Sequence, residues 1–255
     1  MKLKPASVQF RFSGICRNDF SKEWYRPGVI SLARLVWGSL GGGLLLTFIA
    51  MLSNKTGIAV LYPPLAATCF INTTCVFLRV ARPKSVIVGH TIASICGLSG
   101  VWIGDFINPG GELIIPLKLG ISILLAAVFM QIFDADHPPA AATAAIPAIL
   151  PLPMAWYALP LNMAWGATIT VIFAFIWNRI WFEFPSRDAD NCVKNAGLYM
   201  EKAQILGVSI CIGSCIIMCF RIQSPALGFI GVCSMAAGII ILGTHHFRNA
   251  IKYPN

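Results

Sequence analysis

The sequence is poor in charged residues. Only 11% of its 255 residues are Asp, Glu, Lys or Arg, whereas an ordinary globular domain is roughly a quarter charged because a soluble surface needs those charges. Hydrophobic residues make up 57%. They form several long apolar runs, and a run of about 20 residues crosses the hydrocarbon core of a bilayer as a helix. The composition therefore excludes a soluble globular protein and predicts an integral membrane protein that has the lipid bilayer as its main partner.

Acidic residues are scarcer than basic ones. Ten Asp and Glu stand against 19 Lys and Arg, so the net charge is +9. A basic excess can indicate a nucleic-acid partner. Here the Lys and Arg residues lie almost entirely between the apolar runs and at the termini, which is the distribution of cytoplasmic loops. No nucleic-acid partner is predicted.

No disulfide framework, cleavable signal peptide or catalytic signature is predicted from the sequence. Seven of the nine cysteines lie inside apolar runs, where they are typical of small buried side chains in a reducing compartment. The first apolar run is too long for a signal core. No nucleophile–base pair, phosphate-binding glycine loop or metal-ligand cluster is recognisable. The protein is therefore predicted not to be an enzyme and to need no metal or other cofactor.

Eight segments are predicted to cross the membrane: 31–52, 58–78, 86–104, 114–133, 138–154, 160–180, 203–220 and 226–244. Because backbone groups in lipid must be satisfied within the segment, these should be helices. The predicted fold is an all-α polytopic membrane protein with about eight membrane-crossing elements. The segment 138–154 contains five prolines, which break helices. A short helix over about 139–150 is expected there, followed by an irregular stretch buried in the protein.

The distribution of Lys and Arg predicts the orientation. With the N-terminus inside, the outer side holds only Lys55, Lys118 and Arg221, and the other sixteen of the 19 lie on the inner side. This is a strong positive-inside bias. Both termini are therefore predicted to be cytoplasmic, and the membrane is predicted to be a bacterial inner membrane.

A short pattern occurs twice in the chain. The stretch PPLAAT at 63–68 returns as PPAAAT at 138–143, 75 residues later. A second match follows at an offset of 77 and includes Gly89 and Gly166. We expect residues 31–107 and 112–182 to form a 3+3 inverted repeat, a plan common in transporters, with two further helices after it. The alternative is chance, because proline, alanine and threonine are frequent in membrane helices.

Under this arrangement the two proline-led helices start on opposite sides and run antiparallel. Helix N-termini suit an anion because they carry partial positive charge and free N–H groups. Broken helices at corresponding positions of two halves point to a transport site. Since proline has no N–H, the donors must come from Ala140, Ala141 and later residues, while Thr68 and Thr143 add hydroxyls. These features predict a small-anion site between the starts of the two helices.

Three ionisable residues stand directly before the second proline pair. Such groups in a membrane indicate function, so His137 is a candidate to hold a proton or an anion. Asp134 and Asp136 are candidates for proton or charge coupling. The alternative is a helix cap, since the residue before proline avoids helical geometry and an acid favours a helix N-terminus. His90, early in the third span, is either a site residue or a hydrogen-bonded packing residue.

The predicted organisation has four parts. Residues 1–30 form a basic cytoplasmic segment, and residues 31–182 form the transmembrane domain with the two repeats. Residues 183–202 form a cytoplasmic loop. Residues 203–255 form a two-helix appendage outside the repeat.

The segment 136–143, which reads DHPPAAAT, resembles the signature of the HPP family of integral membrane proteins. The stretches 63–68 and 81–90 are similar to two further segments of that family. In all, the similarity covers about residues 31–182. It implies a small multi-helix membrane domain and an association with nitrite transport, as in relatives from plastids and cyanobacteria. It also implies that His90, His137, Pro138 and Pro139 matter for function.

These observations predict a transporter or channel for a small inorganic anion, with nitrite as the first candidate. The alternative is a non-transporting membrane subunit or sensor that docks a partner protein, and a homo-oligomer is also left open. The candidate substrate-binding residues are Pro63, Pro64, Thr68, His90, His137, Pro138, Pro139, Ala140, Ala141 and Thr143.

Overall fold

The computed structural model of the protein describes residues 9–11, 29–74, 79–182 and 202–252. Most of the predicted N-terminal segment and nearly all of the predicted loop 183–202 lie outside these residues. The described elements are β1 (Gln9–Arg11), β2 (Val29–Ser31), α1 (Leu32–Thr56), α2 (Pro63–Thr74), α3 (Pro83–Ile107), α4 (Ile114–Ile132), α5 (Pro138–Ile149), α6 (Leu159–Phe182), α7 (Lys202–Cys219) and α8 (Pro225–Lys252). Two 3₁₀ turns, Arg79–Ala81 and Trp156–Ala158, precede α3 and α6.

The described part of the chain is helical, as predicted, apart from one small parallel strand pair. In that pair Gln9 lies opposite Val29. Six of the described helices, namely α1, α3, α4, α6, α7 and α8, are long and apolar enough to cross a membrane. The other two, α2 and α5, have 12 residues each and reach only about 18 Å at about 1.5 Å per residue. The count of eight crossings stays a prediction.

Prolines explain why α2 and α5 are short. Each begins on a proline pair, which is tolerated there because the first turn leaves its N–H groups without partners in any case. At Leu150 the backbone is already extended, with φ −122° and ψ 140°, because the proline that follows disfavours helical geometry. The predicted short helix over 139–150 is thus confirmed to within one residue. The stretch 150–155 is, however, exposed or half-exposed, so the expectation that it is buried is wrong. Its prolines lack N–H groups and leave fewer donors that need a partner.

The two most buried helices, α3 and α6, form the centre of the bundle. The helix α5 runs along α3 in the same direction. Gly89 of α3 faces Ala135, and Gly97, eight residues later, faces Ala144, so the residue numbers rise together along the contact. Along α6 runs α2. The outer helix α1 packs on α2 and α6, and α4 packs on α3 and α5. The helix α3 follows α2 after a short connection and runs back in the opposite direction. Since α5 runs in the same direction as α3, α2 and α5 are antiparallel.

Each central helix makes room for the start of the opposite short helix. A Cβ atom on Gly89 of α3 would lie 2.9 Å from the carbonyl oxygen of Ala135, just before α5. A Cβ atom on Gly166 of α6 would lie 3.3 Å from the Cβ of Val60, just before α2. Gly89 and Gly166 match at the offset of 77, and Val60 and Ala135 at 75. An inverted repeat predicts these paired contacts, although the repeat itself stays a prediction.

The helices α7 and α8 form an antiparallel hairpin against the central pair. The thiol of Cys215 faces the backbone carbonyl of Trp165 in α6, at 3.7 Å. Next to α3, Gly243 of α8 lies against Val88. Their buried side chains belong to the same hydrophobic core as those of α1, α3 and α6. The predicted appendage is therefore packed as part of one core.

Candidate functional site

Four polar side chains from three different parts of the chain meet inside the bundle. They are Thr68 of α2, His90 of α3, and His137 and Thr143 at the start and in the middle of α5. Each is at most 1% exposed, and the centroids of the two imidazole rings lie 5.3 Å apart. We call these four residues the central cluster. All four are among the residues predicted from the sequence.

The central cluster is connected by hydrogen bonds. The Thr143 Oγ1 lies 2.8 Å from His90 Nδ1, and His90 Nε2 lies 2.7 Å from Thr68 Oγ1. The Thr68 Oγ1 also lies 2.9 Å from His137 Nε2. Finally, His137 Nδ1 lies 2.7 Å from the backbone carbonyl oxygen of Val80. The imidazole of His90 therefore joins the two short helices directly, one at each ring nitrogen.

The chemistry of these groups assigns a direction to the chain of bonds. A carbonyl oxygen only accepts, so the Nδ1 of His137 donates to Val80. In a neutral imidazole the other nitrogen must then accept, so the Thr68 hydroxyl donates to His137 Nε2. The Thr68 oxygen in turn accepts from His90 Nε2–H, and Thr143 donates to His90 Nδ1. Every step from Thr143 to Val80 is satisfied with both histidines neutral.

Local backbone geometry explains where the ring of His137 points. The residue is the N-cap of α5 and has extended backbone, with φ −143° and ψ 95°, because a proline follows. Its side chain makes no capping hydrogen bond and turns to Val80 and Thr68 instead. His137 therefore occupies the N-cap position, as the cap interpretation predicts, but its side chain does not cap the helix. The absence of a side chain at Gly89 leaves the space that the His137 side chain occupies.

The other predicted site residues lie around the cluster rather than in it. Pro63 and Pro138 are exposed and start their helices, whereas Pro139 and Ala140 are buried and Ala141 is half-buried. The carbonyl oxygen of Pro64 lies 3.1 Å from the Thr68 hydroxyl.

The backbone N–H of Ala140 donates to the carbonyl oxygen of His137 at 2.8 Å. The expectation that Ala140 offers a free donor to an anion is therefore wrong. The reason is local: Ala140 is the first residue after the proline pair that has an N–H, and the N-cap carbonyl accepts it.

The two predicted coupling acids lie at one end of the bundle, beside basic residues. Asp134 forms an ion pair with Arg79, and the Lys84 Nζ lies 3.6 Å from it. Asp136 lies 3.7 Å from Arg79. We call residues 79–84 and 134–136 the charged end. The central cluster contacts it through the Val80 carbonyl, so the acids lie next to the cluster but pair with bases.

Two asparagines that the sequence analysis did not select lie between α2 and α6. Asn72 follows Thr68 by one helical turn, and Asn178 donates a hydrogen bond to the Asn72 carbonyl at 3.0 Å. The side-chain amide of Asn72 and the Oδ1 of Asn178 are buried without a hydrogen-bond partner in the described part of the chain. Such burial costs about 1–3 kcal/mol per group. The signal available in the sequence was an amide four residues after Thr68 in an apolar run.

Broken helices and a buried histidine–threonine centre define the protein as a polytopic membrane protein with a polar site in its core. A family model of the HPP transmembrane region matches residues 27–187. The match covers more than half of the chain, which therefore belongs to the HPP family. It includes the predicted domain 31–182. No match was found among curated proteins or among solved structures.

Proposed function

We propose that this protein carries a small inorganic anion across the membrane, with nitrite as the first candidate, and that the anion binds at the central cluster. One observation carries the proposal: both half-length helices place a threonine on the same buried imidazole, that of His90. Half-length helices at corresponding positions, meeting near the middle of a bundle, are typical of transporter binding sites. Polar side chains buried in the membrane are costly and are retained mainly for function.

The polar groups between the charged end and the cluster suggest a route for the anion. Asn72 lies about 6 Å from Thr68 along α2, at about 1.5 Å per residue, on the side toward the charged end. Its side-chain amide, which has no partner among the described residues, is a donor that a small anion with oxygen acceptors can use. Three bases, Arg79, Arg82 and Lys84, against the two acids Asp134 and Asp136 leave this end with one net positive charge, which attracts anions. In the predicted orientation this is the cytoplasmic end.

The closed state of the cluster favours a carrier over an open channel. Its four side chains are almost inaccessible to solvent and satisfy one another. An anion must therefore replace at least one of their hydrogen bonds, which couples its binding to a movement of α2 or α5 relative to α3. Movement of α5 against α3 is movement of one predicted half against the other, which is the usual basis of alternating access.

Uptake into proteoliposomes tests the proposal. Nitrite, nitrate, formate and chloride are supplied to the purified protein, and the flux into empty liposomes is subtracted. We expect saturable uptake of one of these anions and its loss in His137→Ala. Thr143→Val should lose most of it, whereas Thr143→Ser, which keeps the hydroxyl, should retain it. Thr170→Val is the matched control, because Thr170 is equally buried but its hydroxyl bonds the Gly166 carbonyl of its own helix and interacts with the Cys69 thiol, outside the central cluster.

Two results would count against transport. Folded protein that passes none of these anions would favour the non-transporting subunit or sensor. Uptake that is unchanged in both His137→Ala and Thr143→Val would place the route of the anion elsewhere in the bundle.

A further inference from the structure

The hydroxyl of Thr68 has three polar neighbours but only one hydrogen to donate. Its oxygen lies 3.1 Å from the Pro64 carbonyl oxygen, 2.7 Å from His90 Nε2 and 2.9 Å from His137 Nε2. A hydroxyl has one hydrogen to donate and two lone pairs that accept. With both histidines neutral, the hydrogen goes to His137 and His90 donates to the oxygen. The Pro64 carbonyl then receives no hydrogen from this hydroxyl.

When a proton is added to His137 Nε2, the Pro64 carbonyl becomes the acceptor of the Thr68 hydroxyl hydrogen. The protonated ring has two N–H groups, so its Nε2 donates to the Thr68 oxygen, which already accepts from His90. The hydroxyl hydrogen rotates to the Pro64 carbonyl. All side-chain hydrogen bonds of the cluster are kept, and no heavy atom has to move.

The same comparison of hydrogen-bond donors and acceptors disfavours a proton on His90. Its Nδ1 accepts from Thr143, so protonation would make both atoms donors unless the Thr143 hydroxyl found another acceptor. Among the described residues, His90 is the partner that the structure gives for the Thr143 hydroxyl. The geometry therefore selects His137 Nε2.

We propose that the central cluster is a binding site for a single proton, held at His137 Nε2 with the Thr68 hydroxyl as its switch, and that this proton accompanies the transported anion. The coupling to an anion rests on the proposed function. The proton site itself does not, since it follows from the hydrogen-bond geometry alone.

The charges near His137 explain why an anion is needed as a partner for this proton. Beside His137 lie His90 of α3 and the charged end, which holds three bases, Arg79, Arg82 and Lys84, and two acids, Asp134 and Asp136. At the far end of α3, Asp105 pairs with Lys118 of α4. The uncharged titratable groups on the helices around His137 include the thiols of Cys69 and Cys96. Both acids are already in ion pairs, with Arg79 and Lys84. The added positive charge consequently has no carboxylate of its own. A buried charge is stable only when it is paired, so the cation and a small anion stabilise each other.

Nitrogen NMR of histidine-labelled protein tests the proton site without any transport. The imidazole signals are assigned with His90→Gln and His137→Gln and followed over pH. We expect the two rings together to take up one proton, on His137. Thr68→Ser should titrate like the parent, whereas Thr68→Val should bind the proton about tenfold more weakly, because the charged N–H loses its acceptor. Two full, independent titrations, or a parent-like titration in Thr68→Val, would overturn the proposal.

Proton flux in proteoliposomes tests the coupling. With an internal pH dye and the membrane potential clamped by potassium and valinomycin, one proton should enter with each anion, and uptake should not depend on the potential. Nitrate is the preferred probe, because nitrous acid crosses lipid unaided. Anion flux without proton flux would overturn the coupling and leave the proposed function standing. Absence of flux for all four anions would overturn the proposed function, while the NMR titration would still decide whether the proton site exists.

Discussion

The contact between α3 and α5 positions one half of the central cluster, and a single methyl group can disturb it. A Cβ atom at position 97 would lie 2.5 Å from the carbonyl oxygen of Ala144 and 3.0 Å from its Cα. Carbon atoms in ordinary contact are about 3.5–4.0 Å apart. Since the neighbouring atoms are backbone, Gly97→Ala forces α5 away from α3 by about 1 Å, and Thr143 moves with it.

The expected cost of this shift follows from overpacking in other cores, about 1–3 kcal/mol. Part of it is masked, because alanine exceeds glycine in helix propensity by about 1 kcal/mol. Gly120→Ala separates the two effects, since Gly120 lies inside α4 with nothing within 4 Å of its added Cβ. Gly120→Ala should be neutral or stabilising, and Gly97→Ala should be less stable than Gly120→Ala by the full overpacking cost.

The assay is thermal unfolding of both purified variants in the same detergent, followed by anion uptake. We expect the apparent melting temperature of Gly97→Ala to fall below that of Gly120→Ala by several degrees and its uptake to fall several-fold. Equal melting temperatures for the two variants would refute the inference that α3 and α5 meet backbone to backbone. Normal uptake in a destabilised Gly97→Ala would show that the position of Thr143 does not limit transport.

Three further predictions use other contacts. Asn72→Leu keeps the branched shape and removes an amide that has no partner in the part of the chain that the structure describes, so stability should not fall, while anion uptake should. Arg221→Ala removes two hydrogen bonds from the α7–α8 turn to backbone carbonyls at the end of α1, so the midpoint of thermal unfolding should drop by an amount equivalent to about 1–2 kcal/mol. Asp136→Asn weakens an ion pair with Arg79 that is exposed on both sides and should cost about 1 kcal/mol or less, with a smaller difference at high salt.

Each of these has an outcome that contradicts it. A marked loss of stability in Asn72→Leu would mean that the amide has a partner in the folded protein. An unchanged melting temperature in Arg221→Ala would mean that the turn is not tied to α1. A large, salt-independent loss in Asp136→Asn would show that the charged end is a structural centre.

Much of the fold was predictable because it depends on local chemistry. Low charge and long apolar runs determine a helical membrane protein whatever the packing, since lipid cannot satisfy backbone groups. Proline pairs determine where α2 and α5 begin, because a missing N–H is harmless only in the first turn. The length of α5 was predicted for the same reason. The exposure of residues 150–155 was not, because it depends on which helices cover that stretch.

The central cluster was likewise predictable in part. The sequence by itself identified His137, Thr68 and Thr143 as polar residues at proline-led helices, since a polar group in an apolar run stands out without knowledge of its neighbours. It left His90 open between packing and function. Only the tertiary structure decided that His90 joins both threonines, which are 22 and 53 residues away in sequence. Hydrogen bonds depend on distances and angles between side chains, and those are set by how separate helices pack, which no local pattern records.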